Sequence, residues 1–241
     1  AAPMPLGLIL RAIQELPCDY YNAFGQAETS GTAISLTEED HRLSGSEAEV
    51  AKKTKRLSGI GRPIPEISCR LVDDQGKDVP PGGTGEILVR GEKLMKGHWN
   101  DPEETARALK DGWLHTGDMA WMEEDGYLYL ADRKKDVIIR GGEKIFPAEV
   151  ESVLNQHPRV LESAVIGVPD DYWGERVQAF VVLREGTACS EEEIVEFCRS
   201  RLASYRKPAT VKFLAELPKN AVGKVLKYVL REKASPERRG Q

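Results

Sequence analysis

The chain has 241 residues, of which 40% are hydrophobic and 30% charged, and its net charge is −5. This composition is typical of a globular protein and too apolar for a disordered one. No apolar run approaches the roughly 18–20 residues that a membrane helix requires, which excludes an integral membrane protein.

The first third of the chain predicts a helix, a short strand and an exposed segment. Apolar residues recur at helical spacing over Leu6–Leu16, and Pro17 ends that helix. Tyr20–Phe24 predicts a strand that runs into a turn at 25–28. Residues 38–58 are polar and highly charged, so we expect an exposed loop or a short solvated helix there.

Short β-like runs separated by Gly, Pro and Asp turns occupy the next part, from Gly59 to Leu130. Strands are predicted at Ile67–Val72, Gly85–Val89 and Tyr127–Leu130, with one helix around Pro102–Leu109 between them. This pattern predicts a small antiparallel barrel or sheet.

Helices and strands alternate again beyond Asp132. A hairpin turning at Gly141-Gly142 leads to a helix that Pro147 begins, and Ser190 with Glu193 forms a capping box that opens a helix to about Leu202. The other predicted elements are the hairpin strands Val137–Arg140 and Lys144–Phe146, the strands Leu161–Val168, Val177–Leu183 and Val211–Leu214, and a final helix from about Lys224.

These elements predict a two-domain protein of the α/β and α+β classes. We place the domains at residues 1–131 and 132–241, because an excess of basic side chains begins at the boundary. The five consecutive charges of 132–136 also predict an exposed linker there.

The four cysteines, Cys18, Cys69, Cys189 and Cys198, are scattered and form no Cys-x-x-Cys pair. A disulfide scaffold and a cysteine zinc site are therefore disfavoured, and reduced thiols in a cytoplasmic protein explain the pattern. The chain opens on Ala1-Ala2-Pro3 without an initiator methionine or a signal peptide, so we expect a piece of a longer protein.

Two segments of the first domain carry groups suited to a nucleotide. Phe24 and Gly25 place a flat apolar face beside backbone that can approach a ligand, and the Glu28 carboxylate follows; a buried Phe and a tight turn explain the same residues. Asp118, in a predicted turn at 114–118, can accept two hydrogen bonds from a vicinal diol such as ribose. An Asx turn is the alternative.

Two segments of the second domain also have two interpretations. Gly141 and Gly142 suit either a hairpin turn with positive φ or the close passage of a ligand. Lys224 lies on a loop containing Gly223, where its ammonium group can neutralise charge that develops on an acyl phosphate. An ordinary surface helix that begins with lysine is the alternative.

The order and spacing of six motifs is far more specific than any one of them. Together they resemble the AMP-forming acyl-CoA synthetases, the superfamily that includes firefly luciferase and the adenylation domains of peptide synthetases, over essentially the whole chain. The motifs are Phe24–Glu28, Gly61-Arg62-Pro63, Gly85-Glu86-Ile87, His115–Asp118, Arg133–Asp136 and Pro218–Lys224.

This resemblance implies an enzyme that activates a carboxylic acid in two steps, using ATP with Mg²⁺ and then coenzyme A. The carboxylate attacks the α-phosphorus to form an acyl-adenylate, and a thiol then displaces AMP, a far better leaving group than oxide. The motifs around Trp99 and at 126–136 are most similar to fatty-acyl-CoA ligases, which favours a fatty acid as substrate.

The resemblance also assigns roles to residues of the first domain. Phe24 stacks on adenine with Gly25 beside it, and Glu28 binds Mg²⁺. Asp118 holds the ribose hydroxyls with help from Arg133. The opening Ala1-Ala2-Pro3 looks like the Gly-Ala-Pro loop of the family, which implies that Ala2 lines the nucleotide site.

In the second domain, the resemblance implies a mobile lid. Lys135 falls at the hinge about which the lid swings between its two poses, and Lys224 is the catalytic lysine that bridges the acyl carboxylate and the phosphate in the first step. Gly141, Gly142 and Lys144 lie where the family passes the pantetheine arm of coenzyme A.

Two departures from the family pattern concern the groups expected to bind the phosphates of ATP. Phe24 and Ala27 stand where the family has the Tyr and Thr of Tyr-Gly-x-Thr-Glu, so a hydroxyl is lost, and Thr29 is the nearest replacement. A Ser/Thr/Gly-rich phosphate loop ending in Lys is absent. We therefore expect the 241 residues alone to be inactive and to bind ATP weakly, while the lid folds alone.

Three alternatives stay open at this point. The first is an adenylation module that loads a carrier protein, although the basic tail Ala234–Gln241 without a carrier domain favours a free-standing ligase. The second is a non-catalytic nucleotide- or CoA-binding module. The third, nucleic-acid binding by the tail, is disfavoured by the net charge of −5 and the lack of a known motif. A homodimer of the full-length enzyme is left open.

Overall fold

The computed structural model describes residues 4, 6–221 and 223–234. The chain divides into two compact units between Lys134 and Lys135, whereas the sequence predicted a boundary before Asp132. The segment 132–136, predicted as an exposed linker, is exposed only at Lys134 and Lys135. Asp132 and Arg133 end a strand, and Lys134–Asp136 form a 3-10 helix with Asp136 buried.

The first unit contains two antiparallel sheets. Its elements are α1 (Leu6–Glu15), β1 (Asn22–Gln26), a 3-10 helix (Ala27–Thr29), β2 (Gly31–Leu36), α2 (Glu38–His41), α3 (Glu47–Arg56), β3 (Arg62–Pro63), β4 (Ser68–Val72), β5 (Thr84–Arg90), α4 (Pro102–Ala108), β6 (Leu109–Lys110), β7 (Trp113–Met122) and β8 (Leu128–Arg133). The strand order of one sheet is β1-β2-β3. That of the other is β4-β5-β7, and both β6 and β8 pair with the edge of β7 opposite β5.

Local sequence explains where the short helices of this unit begin. At α3, the Ser46 hydroxyl accepts the Glu49 N–H while the Glu49 carboxylate accepts the Ser46 N–H, so two unpaired donors are satisfied. At α4, Asp101 is the N-cap and Pro102 occupies the first turn, where a missing N–H costs nothing. The segment 38–58 is thus mostly helical, in two short pieces.

The second unit is one five-stranded sheet covered on both faces. Its elements are β9 (Ile138–Arg140), β10 (Glu143–Ile145), α5 (Pro147–Leu154), β11 (Val160–Asp170), β12 (Gly174–Leu183), α6 (Glu191–Arg199), β13 (Thr210–Phe213) and α7 (Lys227–Ala234). The strand order is β10-β9-β12-β11, with β13 parallel to β12.

Alternate residues of β12 build two separate cores, as strand geometry requires. Val177, Ala179 and Val181 pack with α5 and α6, whereas Phe180 packs on the other face with Leu230 of α7. The fold class predicted from sequence is confirmed, since helices cover a sheet in the second unit and antiparallel strands dominate the first. No helix within the described part of the chain is both long and apolar enough to cross a membrane.

Candidate functional site

Asp118 lies inside a strand, and the predicted turn at 114–118 is wrong. His115 pairs with Leu88 and Met119 pairs with Glu86, so three residues of β7 (116–118) stand opposite a single residue of β5. This bulge interrupts the alternation by which a strand is recognised in sequence. Gly117 supplies the positive φ of 70° that the bulge needs.

Three hydrogen bonds hold the bulge in place. The Thr116 hydroxyl donates to the Ile87 carbonyl (2.8 Å) and accepts the Asp118 N–H (3.2 Å). The Gly117 N–H donates to Oε1 of Glu86 (3.1 Å). Because Thr116 and Glu86 are buried, these bonds are shielded from water and fix the backbone that carries Asp118.

The Asp118 carboxylate is paired with Arg133 on the neighbouring strand. The two residues are direct partners in the β7–β8 register, and Nε of Arg133 lies 2.8 Å from Oδ1 of Asp118. The Asp118 side chain is 9% exposed and that of Arg133 40%. The arginine thus orients a nearly buried carboxylate while part of the guanidinium faces solvent.

Glu86 is a site residue to which sequence reasoning gave no role. Its Oε2 accepts a bond from Nζ of Lys134 (2.9 Å) and lies 3.2 Å from Nδ1 of His115. Burial alone would raise the pKa of Glu86, but the bonds from Lys134 and His115 outweigh it, and the pKa lies below the usual value of 4.5. The sequence feature that could have identified Glu86 is a carboxylate directly before the aliphatic run Ile87–Val89 of a predicted strand.

Phe24 and Gly25 lie on β1 at a second irregularity. The β1–β2 register shifts between them, and Phe24 is half-buried against the hydrophobic core of the first unit. A Cβ on Gly25 would lie 1.9 Å from the Gly31 carbonyl oxygen. The chain's own backbone therefore requires this glycine, whatever ligand approaches it.

The Thr29 hydroxyl is occupied by its own turn. It accepts the Gln26 N–H at 3.0 Å and lies 2.9 Å from the Gln26 carbonyl and 2.6 Å from that of Gly31. Because Thr29 is fully buried, this hydroxyl does not replace the one lost at Ala27.

A shallow groove of about 330 Å³ brings these segments together in the first unit. Nε2 of Gln26 donates to the Thr116 carbonyl at 3.4 Å, which joins the end of β1 to the bulge. Residues lining the groove include Glu28, Glu86, Arg107, His115, Gly117 and Arg133. A larger groove of about 560 Å³, lined by residues such as Glu66, Arg90 and Lys93, contains none of the predicted site residues.

Glu28 is half-buried in the 3-10 helix after β1. The described residues include no group of three His, Cys, Asp or Glu side chains that could hold a metal ion. Mg²⁺ is commonly bound by one or two carboxylates together with substrate phosphates. A single carboxylate in an open groove fits that mode and does not fit a metal site made by protein alone.

The Gly141-Gly142 turn of the second unit joins β9 to β10. The φ angles of 58° and 86° are those of a tight hairpin turn that favours glycine. The Gly141 N–H donates to the Trp173 carbonyl at 2.8 Å, and a Cβ there would lie 2.8 Å from the indole ring. Lys144 is half-buried on β10, opposite Ile139.

Lys224 lies in a turn before α7, which begins at Lys227 and not near Lys224 as predicted. The Lys224 N–H donates to Oδ1 of Asn220 (2.8 Å), and the Asn220 N–H donates to the Lys224 carbonyl (2.9 Å). These bonds compete with helix formation and close the turn. The Lys224 side chain is exposed.

The remaining predicted positions are Lys135 and Ala2. Lys135 is exposed and is the first described residue of the second unit, next to Asp136, whose carboxylate pairs with Nη2 of Arg231 at 2.6 Å. Ala2 lies outside the described residues.

Sequence comparison adds the family to this geometry. The model of the AMP-binding enzyme family matches residues 1–99, and that of the AMP-binding enzyme C-terminal domain matches residues 149–224. The chain belongs to the AMP-binding enzyme family. The second match ends at Lys224 itself.

Named relatives agree with this family. A long-chain-fatty-acid–CoA ligase of Bacillus subtilis is 51% identical over 174 residues, covering 72% of this chain and 31% of the relative. The fatty acid–[acyl-carrier-protein] ligase ScoC of Streptomyces coeruleorubidus is 37% identical over 232 residues, covering 96% of this chain and 43% of that protein. The chain therefore spans less than half the length of these relatives.

A solved structure extends the agreement to the fold. The o-succinylbenzoate CoA synthetase MenE of Bacillus subtilis, in complex with its acyl-adenylate intermediate, matches with a TM-score of 0.81 and 33% identity. The match covers all of this chain and 46% of the synthetase chain.

Proposed function

We propose that this chain forms the C-terminal part of an AMP-forming ligase that joins a carboxylic acid to the thiol of coenzyme A. The observation that carries the proposal is the Asp118–Arg133 pair, a nearly buried carboxylate held at a pinned bulge. Arg133 and Gly117 line the same groove as Glu28. Family membership supports the same reaction class.

In this proposal, the nucleotide is bound by the first unit. Asp118 accepts hydrogen bonds from the ribose hydroxyls, Arg133 orients that carboxylate, and Phe24 stacks on adenine beside Gly25. The resemblance of Ala1-Ala2-Pro3 to the Gly-Ala-Pro loop of the family is the ground on which we assign Ala2 to the same site. Binding of this kind gains from groups that are already fixed before the ligand arrives.

Glu28 would hold Mg²⁺ together with the phosphates of ATP. The ion, when bound, neutralises charge on the phosphate oxygens. Glu28 itself contributes one carboxylate at a half-buried position on the groove. Because Ala27 lacks a hydroxyl and that of Thr29 is engaged, we assign neither residue a phosphate contact.

The second unit supplies the remaining groups of the proposal. A carboxylate oxygen of the acid attacks the α-phosphorus of ATP and pyrophosphate leaves; the thiol then attacks the acyl carbon of the adenylate and AMP leaves. The Lys224 ammonium neutralises charge that develops in the first step. We assign the hinge to Lys135 and the pantetheine passage to Gly141, Gly142 and Lys144.

A fatty acid is the proposed substrate, since the Bacillus subtilis relative is named a long-chain-fatty-acid–CoA ligase. A second candidate acceptor is a carrier protein, because the relative that matches 96% of this chain is named a fatty acid–[acyl-carrier-protein] ligase. Thioester formation with coenzyme A and with holo carrier protein, measured side by side, separates the two acceptors.

ATP–pyrophosphate exchange by the full-length ligase carrying this sequence tests the proposal. We expect exchange that depends on a carboxylic acid, measured across short, long and aromatic acids. Asp118→Asn should raise the KM for ATP, because it keeps the shape but loses the charge that pairs with Arg133. Absence of exchange with every acid, from a folded enzyme, would contradict the proposal.

A further inference from the structure

Glu86 is an ionised carboxylate in a place where a charge is costly. Its side chain is 6% exposed, and the three residues that follow it on β5, Ile87–Val89, are all buried in apolar surroundings. A charge is retained at such a position only when specific partners compensate for its lost hydration.

The partners of Glu86 are the neighbours of the proposed nucleotide-binding pair. Oε1 accepts the N–H of Gly117, the residue before Asp118, and Oε2 accepts from Lys134, the residue after Arg133. One carboxylate thus holds both β7 and the end of β8. Lys134 also lies 4.0 Å from Asp74, a longer and more exposed contact than its bond of 2.9 Å to Glu86.

Backbone pairing alone does not fix this part of the sheet. The β5–β7 register shifts between Glu86 and Leu88, and the β7–β8 register shifts between Met119 and Ala120. Both ladders are therefore irregular beside Asp118, so side-chain bonds contribute to where its carboxylate lies in addition to the backbone pairing with Arg133.

We propose that Glu86 is a positioning residue for nucleotide binding by Asp118 and Arg133. The inference rests on the proposed function and adds to it the residue that sets the geometry of the pair. Glu86 acts through Gly117 and Lys134 and takes no part in the chemical step.

Glu86→Gln in the full-length ligase tests this role. The amide keeps the shape and an acceptor for the Gly117 N–H but loses the charge-assisted bond to Lys134. We expect the KM for ATP in pyrophosphate exchange to rise roughly tenfold, the effect of losing one charged hydrogen bond, while kcat changes little. Lys134→Met removes the ammonium group that donates to Glu86, at a side chain that is half-exposed. This substitution should also raise the KM for ATP.

Glu123→Gln is the matched control. Glu123 is a carboxylate of the same unit, with a side chain 17% exposed, and it pairs with Lys55 (2.7 Å) and with the Tyr129 hydroxyl (3.1 Å). The pKa of Glu123 is lowered, as is that of Glu86. Burial alone would raise it, but the hydrogen bonds from Lys55 and Tyr129 outweigh this effect. Its substitution should lower the melting temperature and leave the KM for ATP unchanged.

The outcomes separate the inference from the proposed function. A raised KM in Glu86→Gln and Lys134→Met, with Glu123→Gln like the parent, supports the positioning role. An unchanged KM in either of the first two, or an equal rise in all three, overturns it in favour of a purely structural carboxylate. A folded parent without exchange contradicts the proposed function and, with it, this inference.

Discussion

Asp118 and Lys224 are held in opposite ways. Asp118 is nearly buried, lies in a sheet and is paired with Arg133, whereas Lys224 is exposed on a turn closed by backbone and Asn220 bonds. Substitution of a buried, paired group is expected to change both the stability of the fold and the binding of a ligand, so the two effects are hard to measure separately. An exposed lysine on a closed turn can be removed with little effect on the fold.

This contrast predicts that the largest purely chemical effect comes from Lys224→Ala. Loss of one group that stabilises developing charge costs about 10²–10³ in rate, and we expect that loss in ATP–pyrophosphate exchange, with thioester formation from preformed adenylate retained. The melting temperature should not change, because the side chain is exposed.

Lys212→Ala is the control, since Lys212 is also an exposed lysine of the second unit, on β13. It should behave as the parent does. Equal exchange in Lys224→Ala and the parent would remove Lys224 from the catalytic assignment.

The largest stability effect is expected from Gly25→Ala. The new Cβ would lie 1.9 Å from the Gly31 carbonyl oxygen. The backbone of β1 and β2 at this register shift must therefore move, which destabilises the fold by about 3 kcal/mol. Gly142→Ala is the comparison, because there a Cβ meets nothing within 4 Å and only the φ of 86° is unfavourable, which costs about 1 kcal/mol. Denaturant unfolding measures both, and equal costs would contradict this account.

Thr116→Val should reduce both stability and nucleotide binding. A methyl group then replaces the hydroxyl that donates to the Ile87 carbonyl and accepts the Asp118 N–H. Each buried group left without a partner costs about 1–3 kcal/mol of stability. Thr105→Val should cost less, because the Thr105 hydroxyl donates to the exposed Asp101 carbonyl and accepts the His98 N–H at a position that is only partly buried. A Thr116→Val protein with the parent's stability and KM for ATP would show that the bulge does not depend on this hydroxyl.

The smallest effect is the pH dependence of the Glu86 contribution. Because the folded-state pKa lies below 4.5, the stabilisation by ionised Glu86 is fully present above that pH and is lost as the pH falls through the folded pKa. The difference in unfolding free energy between the parent and Glu86→Gln should therefore shrink on acidification. Tryptophan fluorescence of Trp113 and Trp121 follows unfolding of this unit, and a difference that grows on acidification would contradict the assignment.

The second unit was largely predictable because its signals are local. The Gly141-Gly142 turn and the Ser190–Glu193 capping box each depend on residues that are adjacent or three apart in sequence, and the structure has both. The helix begun by Pro147 is found for the same reason. The start of α7 was placed too early because the bonds between Asn220 and Lys224 favour a turn there.

The candidate site in the first unit was predictable as a set of residues and not as a geometry. The motif containing His115 and Asp118 can be recognised in the sequence. Its bulge cannot, because it depends on where β5 lies and on bonds to Ile87 and Glu86, about thirty residues away. The role of Glu86 was missed for the same reason, since its partners come from the middle of β7 and from the residue after β8. The sequence left Gly25 with two interpretations, a tight turn or the approach of a ligand, because the close contact with the Gly31 carbonyl depends on how β1 pairs with β2.

The most direct test of the whole account is the kinetic split between Asp118→Asn and Lys224→Ala in ATP–pyrophosphate exchange. A group that binds nucleotide in the ground state should act on KM, and a group that neutralises developing charge should act on kcat. We predict a raised KM for ATP with Asp118→Asn and a lowered kcat with the parent's KM for Lys224→Ala. Changes in the same parameter for both variants, or in neither, would contradict the division of roles between these two residues.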